Sequence, residues 1–327
     1  MSETQKINDS QWNDWYPVAG TFSSEVEKVI VGKHREVTLL LTALFAGGHV
    51  LIEDVPGVGK TTLASTLAKA AGLKFHRAQF TPDVMASDIT GFNIYNRQTE
   101  RFEFREGLVM CNILLADEIN RASPKTQSSL LESMEEHTVT VDGTTYPIPD
   151  PFMVIATQNP SGYVGTYPLP EAQLDRFCLK LSMGYPSEEE ELRILTARRS
   201  SNPLEDVRAV VSLDQIRTLR SLCREVSVDE NVYRYIISLI SATRTHGSLA
   251  LGASPRATLM LSRMCQAYAF LAGRNYVLPE DVSALFCPVV AHRVILRQEA
   301  KLNRRTAEDI LDEVLHSVEV PYQAKKK

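Results

Sequence analysis

Apolar residues in the first half of this 327-residue chain fall into short runs between turns; later they recur at helical spacing. Residues 1 to about 22 are polar, with two Trp and no clear period, and read as an N-terminal arm. Over 23–46 the spacing is helical, with a break at Gly32. Residues 49–52 form a short apolar strand that enters a Gly-rich turn. Residues 62–71, rich in Ala and Leu, follow as a helix. Aromatic residues on both sides of Arg97-Gln98-Thr99-Glu100 predict a hairpin within 80–107. Buried strands are expected over 112–116 and 152–156. Between them lie a helix over 124–136 and a second hairpin turning at Asp142-Gly143.

Near Tyr185-Pro186-Ser187 the pattern changes. Strand signals become scarce, and helical spacing runs over 187–200, 213–225, 229–245, 255–272, 279–297 and 305–316. Strands alternating with helices predict an α/β unit with a parallel sheet. The chain thus divides into an arm (1–22), an α/β core with two hairpin insertions (23–185) and an all-helical domain (186–327).

Composition excludes several classes. A hydrophobic share of 44% with 23% charged residues fits a soluble globular chain. A net charge of -5 leaves no strongly basic footprint for nucleic acid. Five Cys, an odd number without a C-x-x-C pair, read as small buried hydrophobes in a reducing cytosol. No secretory signal is expected from Met1-Ser2-Glu3-Thr4. The most apolar stretch, 37–52, is interrupted by Gly47-Gly48-His49, so no membrane span is expected; the cytoplasmic location expected here rests on the cysteines.

The chemistry concentrates after the strand at 49–52. In Pro56-Gly57-Val58-Gly59-Lys60-Thr61-Thr62, the glycines permit a turn whose backbone N–H groups can wrap a polyphosphate. The next helix adds its positive dipole end. Lys60 can reach the β- and γ-phosphates of ATP, and the Thr61 hydroxyl can hold Mg²⁺. The strict pattern asks for Gly at position 54, where this chain has Asp; Asp is expected to tolerate the turn conformation there. The strand at 112–116 delivers Asp117, suited to the shell of Mg²⁺, and Glu118, suited to orienting a water. Alone, an apolar run ending in Asp-Glu reads better as a capped strand end; paired with Lys60-Thr61 it completes a nucleotide site. Glu135-Glu136-His137, at a helix end, reads as solvated surface.

Several segments resemble the MoxR family of AAA+ ATPases, over about residues 23–300. They are Glu53-Asp54-Val55-Pro56-Gly57-Val58-Gly59-Lys60-Thr61, Gln79-Phe80-Thr81-Pro82-Asp83, Ser87-Asp88-Ile89-Thr90-Gly91 and Asp117-Glu118-Ile119-Asn120-Arg121-Ala122. Ala156-Thr157-Gln158-Asn159-Pro160, the run from Leu169 to Phe177 and Gly252-Ala253-Ser254-Pro255-Arg256-Ala257 complete the set. The resemblance implies a P-loop NTPase fold, a three-layer αβα sandwich with a parallel sheet, and a C-terminal all-helical lid. It also implies the helix-2-insert clade, whose hairpins face a pore or a client protein.

The resemblance assigns roles as well. Asn159 would be a sensor helping Glu118 hold the attacking water. Arg176 would be an arginine finger reaching the neighbouring subunit's γ-phosphate, and Arg256 a second sensor acting within or across subunits. Val31 and Gly32 would lie near the adenine. On their own residues these positions have plainer readings. Asn159 could end a strand, Arg176 could pair with Asp175 or Glu171, and Arg256 could be an exposed residue opening a helix. Phe92, Phe102 and Phe104 could simply pack their hairpin.

The implied activity is ATP hydrolysis coupled to remodelling or maturing partner proteins. It would involve a homo-oligomeric, hexameric ring and a von Willebrand factor A domain protein or other client. The motor subunit of a metal chelatase, or a nucleic-acid motor, are the competing readings.

Overall fold

The computed structural model describes residues 9–158, 166–197 and 202–321. The chain opens with α1 (Asp9–Glu27) and α2 (His34–Ala46), then β1 (Val50–Glu53), α3 (Lys60–Ala70), β2 (Phe75–Gln79) and α4 (Ala86–Thr90). A hairpin follows, β3 (Gly91–Asn96) and β4 (Arg101–Glu106), then β5 (Ile113–Asp117) and α5 (Pro124–Glu136). A second hairpin, β6 (Thr138–Val141) and β7 (Thr144–Pro147), leads to β8 (Met153–Gln158), α6 (Glu171–Leu174) and β9 (Leu179–Leu181). The remainder is helical: α7 (Glu188–Ala197), α8 (Pro203–Asp206), α9 (Leu213–Glu225), α10 (Glu230–Thr245), α11 (Pro255–Leu271) and α12 (Pro279–Val290). Last come α13 (Gln298–Leu302) and α14 (Ala307–Ser317). A small strand pair, β10 (Leu249–Leu251) and β11 (Ile295–Leu296), interrupts the helices.

Five strands form one parallel sheet in the order β2-β5-β8-β1-β9. Its central strands are buried on both faces, which is why they read as unbroken apolar runs rather than alternating ones. Both hairpins lie outside this sheet. Register matters at the carboxyl ends: Gln79 pairs with Asp117, and Ala116 with Ala156. The tips of three strands therefore converge on the loop after β1.

The helical domain packs back onto the core through α2, which touches α9 and α11. Three of its helices start on serine or aspartate caps. Ser212 and Ser254 accept from the amides of Gln215 and Ala257, and Asp229 from that of Asn231. No helix among the described residues is long and apolar enough to cross a membrane.

Two expectations change. From Asp9 onward the supposed arm is a helix continuing to Glu27, with Trp12, Ala19, Phe22 and Val26 buried at helical spacing. Trp12 lies 5.9 Å, ring to ring, from Phe270 of α11. Pro17 and Gly20, poor helix formers, blur that period in the sequence. The helix expected over 279–297 ends at Val290 and gives way to a short 3-10 turn and β11. Four cysteines are buried and all five are free. Burial pushes the Cys111 and Cys178 thiols up to about 12.

Candidate active site

The loop between β1 and α3 takes its shape from two glycines. Gly57 and Gly59 have φ of +90° and +97°, where a side chain is strained; a Cβ on Gly57 would otherwise meet open space. Asp54 corrects an expectation, for it is not among the positive-φ residues and needs no tolerance of an unusual turn. Its role is in its carboxylate. Oδ1 accepts from the Val55 amide at 2.9 Å. Oδ2 accepts from the amides of Met183 (2.6 Å) and Gly184 (2.8 Å) and the Ser182 hydroxyl (3.2 Å). Lys60, opening α3, donates from Nζ to the Asp54 carbonyl at 2.8 Å. Burial lowers its pKa, opposed by the charges of Asp54, Asp117 and Glu118. Thr61 and Thr62 follow on the first turn of α3, half-buried; Pro56 is exposed.

The two acids are held from β8. Thr157 donates its hydroxyl proton to Asp117 Oδ1 (2.7 Å) and accepts the Glu118 amide on the same oxygen (2.8 Å). Asp117 Oδ2 takes Arg77 of β2 at 2.9 Å, and Glu118 takes Arg121 at 3.0 Å. Glu118 itself has φ of +56°, a costly conformation for a residue with a side chain. The Thr157 hydroxyl secures that backbone. Arg77 and Thr157 were not singled out from sequence. Their only signal is the sheet register, which sets Arg77 and Thr157 on the strands flanking β5.

Beside the loop is a largely apolar cavity lined by Val29, Ile30, Val31, Val58, Thr62 and Met183, with Pro186 and Ile194 from the start of the helical domain. Val31 thus lines a cavity that borders the glycine loop. Gly32 is adjacent, with φ of +77°, and a Cβ there would collide with the Glu190 carboxylate. Asn159 lies outside the described residues.

The arginines form a separate group. Arg176 pairs with Glu135 of α5 at 3.1 Å, and Arg256 of α11 pairs with the other oxygen of the same carboxylate. Glu135 is therefore an ion-pair hub rather than merely solvated surface, and Arg176 takes it in place of Asp175 or Glu171. The cavity they line, with His49, His137 and Arg263, shares no residue with the cavity beside the glycine loop. Asp175 instead binds Arg293, whose Nε donates to Oδ1 at 2.7 Å. Burial lowers the Arg293 pKa while Asp175 opposes the shift. Asp175 also accepts from Ser254, the cap of the helix carrying Arg256, at 2.9 Å.

On the hairpins, Phe104 stacks on Tyr146 with centroids 3.9 Å apart. Phe92, Ile94, Tyr95 and Phe102 are exposed, so hairpin packing accounts for only part of the aromatic cluster.

A glycine loop between a strand and a helix, acids at the end of a strand one place removed in the same parallel sheet, and a C-terminal helical domain define the AAA+ class of P-loop NTPase. Family descriptions agree: "ATPase family associated with various cellular activities (AAA)" matches residues 49–179, and "AAA lid domain" matches 241–314. The chain belongs to the MoxR family of AAA+ ATPases. It is 50% identical over 310 residues to "Uncharacterized protein YeaC" of Bacillus subtilis, covering 95% of this chain and 97% of that one. It is 40% identical over 306 residues to "Chaperone MoxR1" of Mycobacterium tuberculosis, covering 91% and 81%. A crystal structure of a candidate ATPase from Cytophaga hutchinsonii superposes with TM-score 0.89 at 39% identity, covering 95% and 97%.

Proposed function

We propose that this chain is the ATP-hydrolysing subunit of a homo-oligomeric, hexameric ring that remodels or matures partner proteins. The observation that carries the reading is the pairing of Arg176 and Arg256 on one carboxylate, in a cavity separate from the glycine loop. Two cations share one anion, and Arg176 Nε is buried without a hydrogen-bond partner among the described residues. Such a cluster suits a phosphate presented by a neighbouring subunit.

Within each subunit the loop amides, with Lys60, bind the phosphates of ATP, and the apolar cavity at Val31 receives the base. Gly57 and Gly59 leave the backbone free to approach, and Lys60 sits beside both acids, so the residues fit the nucleotide and its ion. Thr61 and Asp117 would hold Mg²⁺, which neutralises charge on the phosphate oxygens when bound. Glu118 orients the attacking water, Asn159 assists it, and Arg176 and Arg256 stabilise the charge that develops in the neighbour's site. The exposed aromatic hairpin supplies a surface for a client. A von Willebrand factor A domain protein is the partner expected from the family resemblance. The free, mostly buried cysteines fit a reducing cytoplasm.

Mixed subunits test the ring. Arg176→Ala and Glu118→Gln should each bind ATP yet hydrolyse it poorly. Mixed together they should regain turnover, because some interfaces then join an intact Glu118 to an intact Arg176. A mixture as inactive as its parts, with ATP bound by both, would show that the arginine does not act across subunits.

A further inference from the structure

We propose that Asp54 is a positioning residue that clasps the lid-bearing linker to the phosphate loop, so that occupancy of the loop and placement of the linker are coupled. The inference rests on the nucleotide reading of the site. Residues 182–187 are the covalent bridge from the last sheet strand, β9, to the first helix of the lid, α7. A single buried oxygen, Asp54 Oδ2, receives two consecutive amides and a hydroxyl from that bridge. The carboxylate's other oxygen holds the loop's own Val55 amide. Asp54 therefore ties both ends of one polar cluster, loop and linker, through four hydrogen bonds.

Two further observations give the clasp its bearing on the nucleotide. Met183, whose amide Asp54 holds, lines the apolar cavity with Pro186 and Ile194, so the clasped linker forms one wall of the base pocket. Lys60, the loop's phosphate-binding cation, spends its ammonium on the Asp54 carbonyl. A phosphate that draws Lys60 away changes the bonding of the same residue that holds the linker. Glycine at position 54, which the strict loop pattern prefers, offers the linker nothing. The Asp is thus a gain of a second task at a position whose backbone does not require glycine.

The test inverts the usual logic of restoring a consensus. In the full-length chain, Asp54→Gly should weaken binding of a fluorescent ADP, with Mg²⁺, by roughly tenfold or more, the effect expected for losing charge-assisted hydrogen bonds. Asp54→Asn keeps the shape and one acceptor oxygen, should lose less, and carries the test if the glycine variant does not fold. Hydrogen exchange separates positioning from general loosening. The amides of residues 182–185 and 187 should exchange faster in both variants while β1 stays protected, and ADP should slow them in the wild type only. Wild-type affinity in Asp54→Gly, or weakened binding with unchanged exchange at 182–187, overturns the clasp alone. A wild-type chain that binds no ADP overturns the nucleotide reading and the clasp's coupling with it.

Discussion

Replacing Asp175 by Ala should destabilise the junction between core and lid by about 3 kcal/mol. The partner it abandons is Arg293, whose side chain is 1% exposed. That guanidinium keeps the carbonyls of Phe177 (2.7 Å) and Val289 (2.6 Å) but loses its only ion-pair partner among the described residues. Removing one member of a buried pair costs roughly 3–5 kcal/mol, because the other charge stays out of water. Asp175 itself is 20% exposed, so water shares the site and the lower end applies. Ser254 loses its carboxylate partner at the same time. Against a total stability of about 5–15 kcal/mol this is a large fraction. Urea unfolding followed by tryptophan fluorescence reads it, since both tryptophans lie on α1 and Trp12 packs on Phe270 of α11. With a slope near 3 kcal/mol per molar, the midpoint should fall by about 1 M. Asp175→Asn, which still offers an acceptor to Nε, should lose less. An Asp175→Ala midpoint within about 0.2 M of wild type would refute the argument that this pair is buried and uncompensated.

Stability should also fall in mild acid. His49 is buried, donates from Nε2 to the Met134 carbonyl and accepts the Val154 amide on Nδ1, so it is neutral and its pKa is lowered from 6.5 to about 4. Between those values the unfolded chain binds a proton that the folded chain refuses. The contribution is complete above pH 6.5 and is lost as pH falls toward 4, by roughly 3 kcal/mol. His292 acts with the same sign. His49→Gln should flatten the melting-temperature profile over this range, and an unchanged slope would count against the assignment. Phe104→Ala should cost about 1 kcal/mol or somewhat more through the lost stack on Tyr146. It should also uncouple the hairpins, seen as faster exchange at both in the variant; exchange confined to β3 and β4 would contradict that.

The motifs of the candidate site were legible because each is contiguous: Gly57 to Thr61 in one turn, Asp117 and Glu118 at one strand end. What supports them was not, because it arrives from elsewhere. Arg77 and Thr157 reach the acids only through the register of β2 and β8 on β5. β2 itself escaped notice because among its five residues only Ala78 is buried, leaving no apolar run. Glu135 looked like one more acid at a helix end until Arg176 and Arg256, 41 and 121 positions away in sequence, closed on it. Arg293 carried no motif at all. The departure at Asp54 was visible from the start, but the linker amides that explain it lie about 130 residues downstream.

The stacked rings of Phe104 and Tyr146 join the two hairpins into one unit. Asn93 of the first also bonds Asp142 of the second at 2.8 Å, so the insertions are pinned at two points. The second hairpin grows straight out of α5, with His137 alone between helix and strand. At one end of this pinned unit lies the exposed ring of Phe102, and at the other, in the last turn of α5, lies Glu135. The exposed aromatic tip and the carboxylate that holds both arginines are therefore linked by one continuous run of contacts, through the stacked rings, the second hairpin and the end of α5.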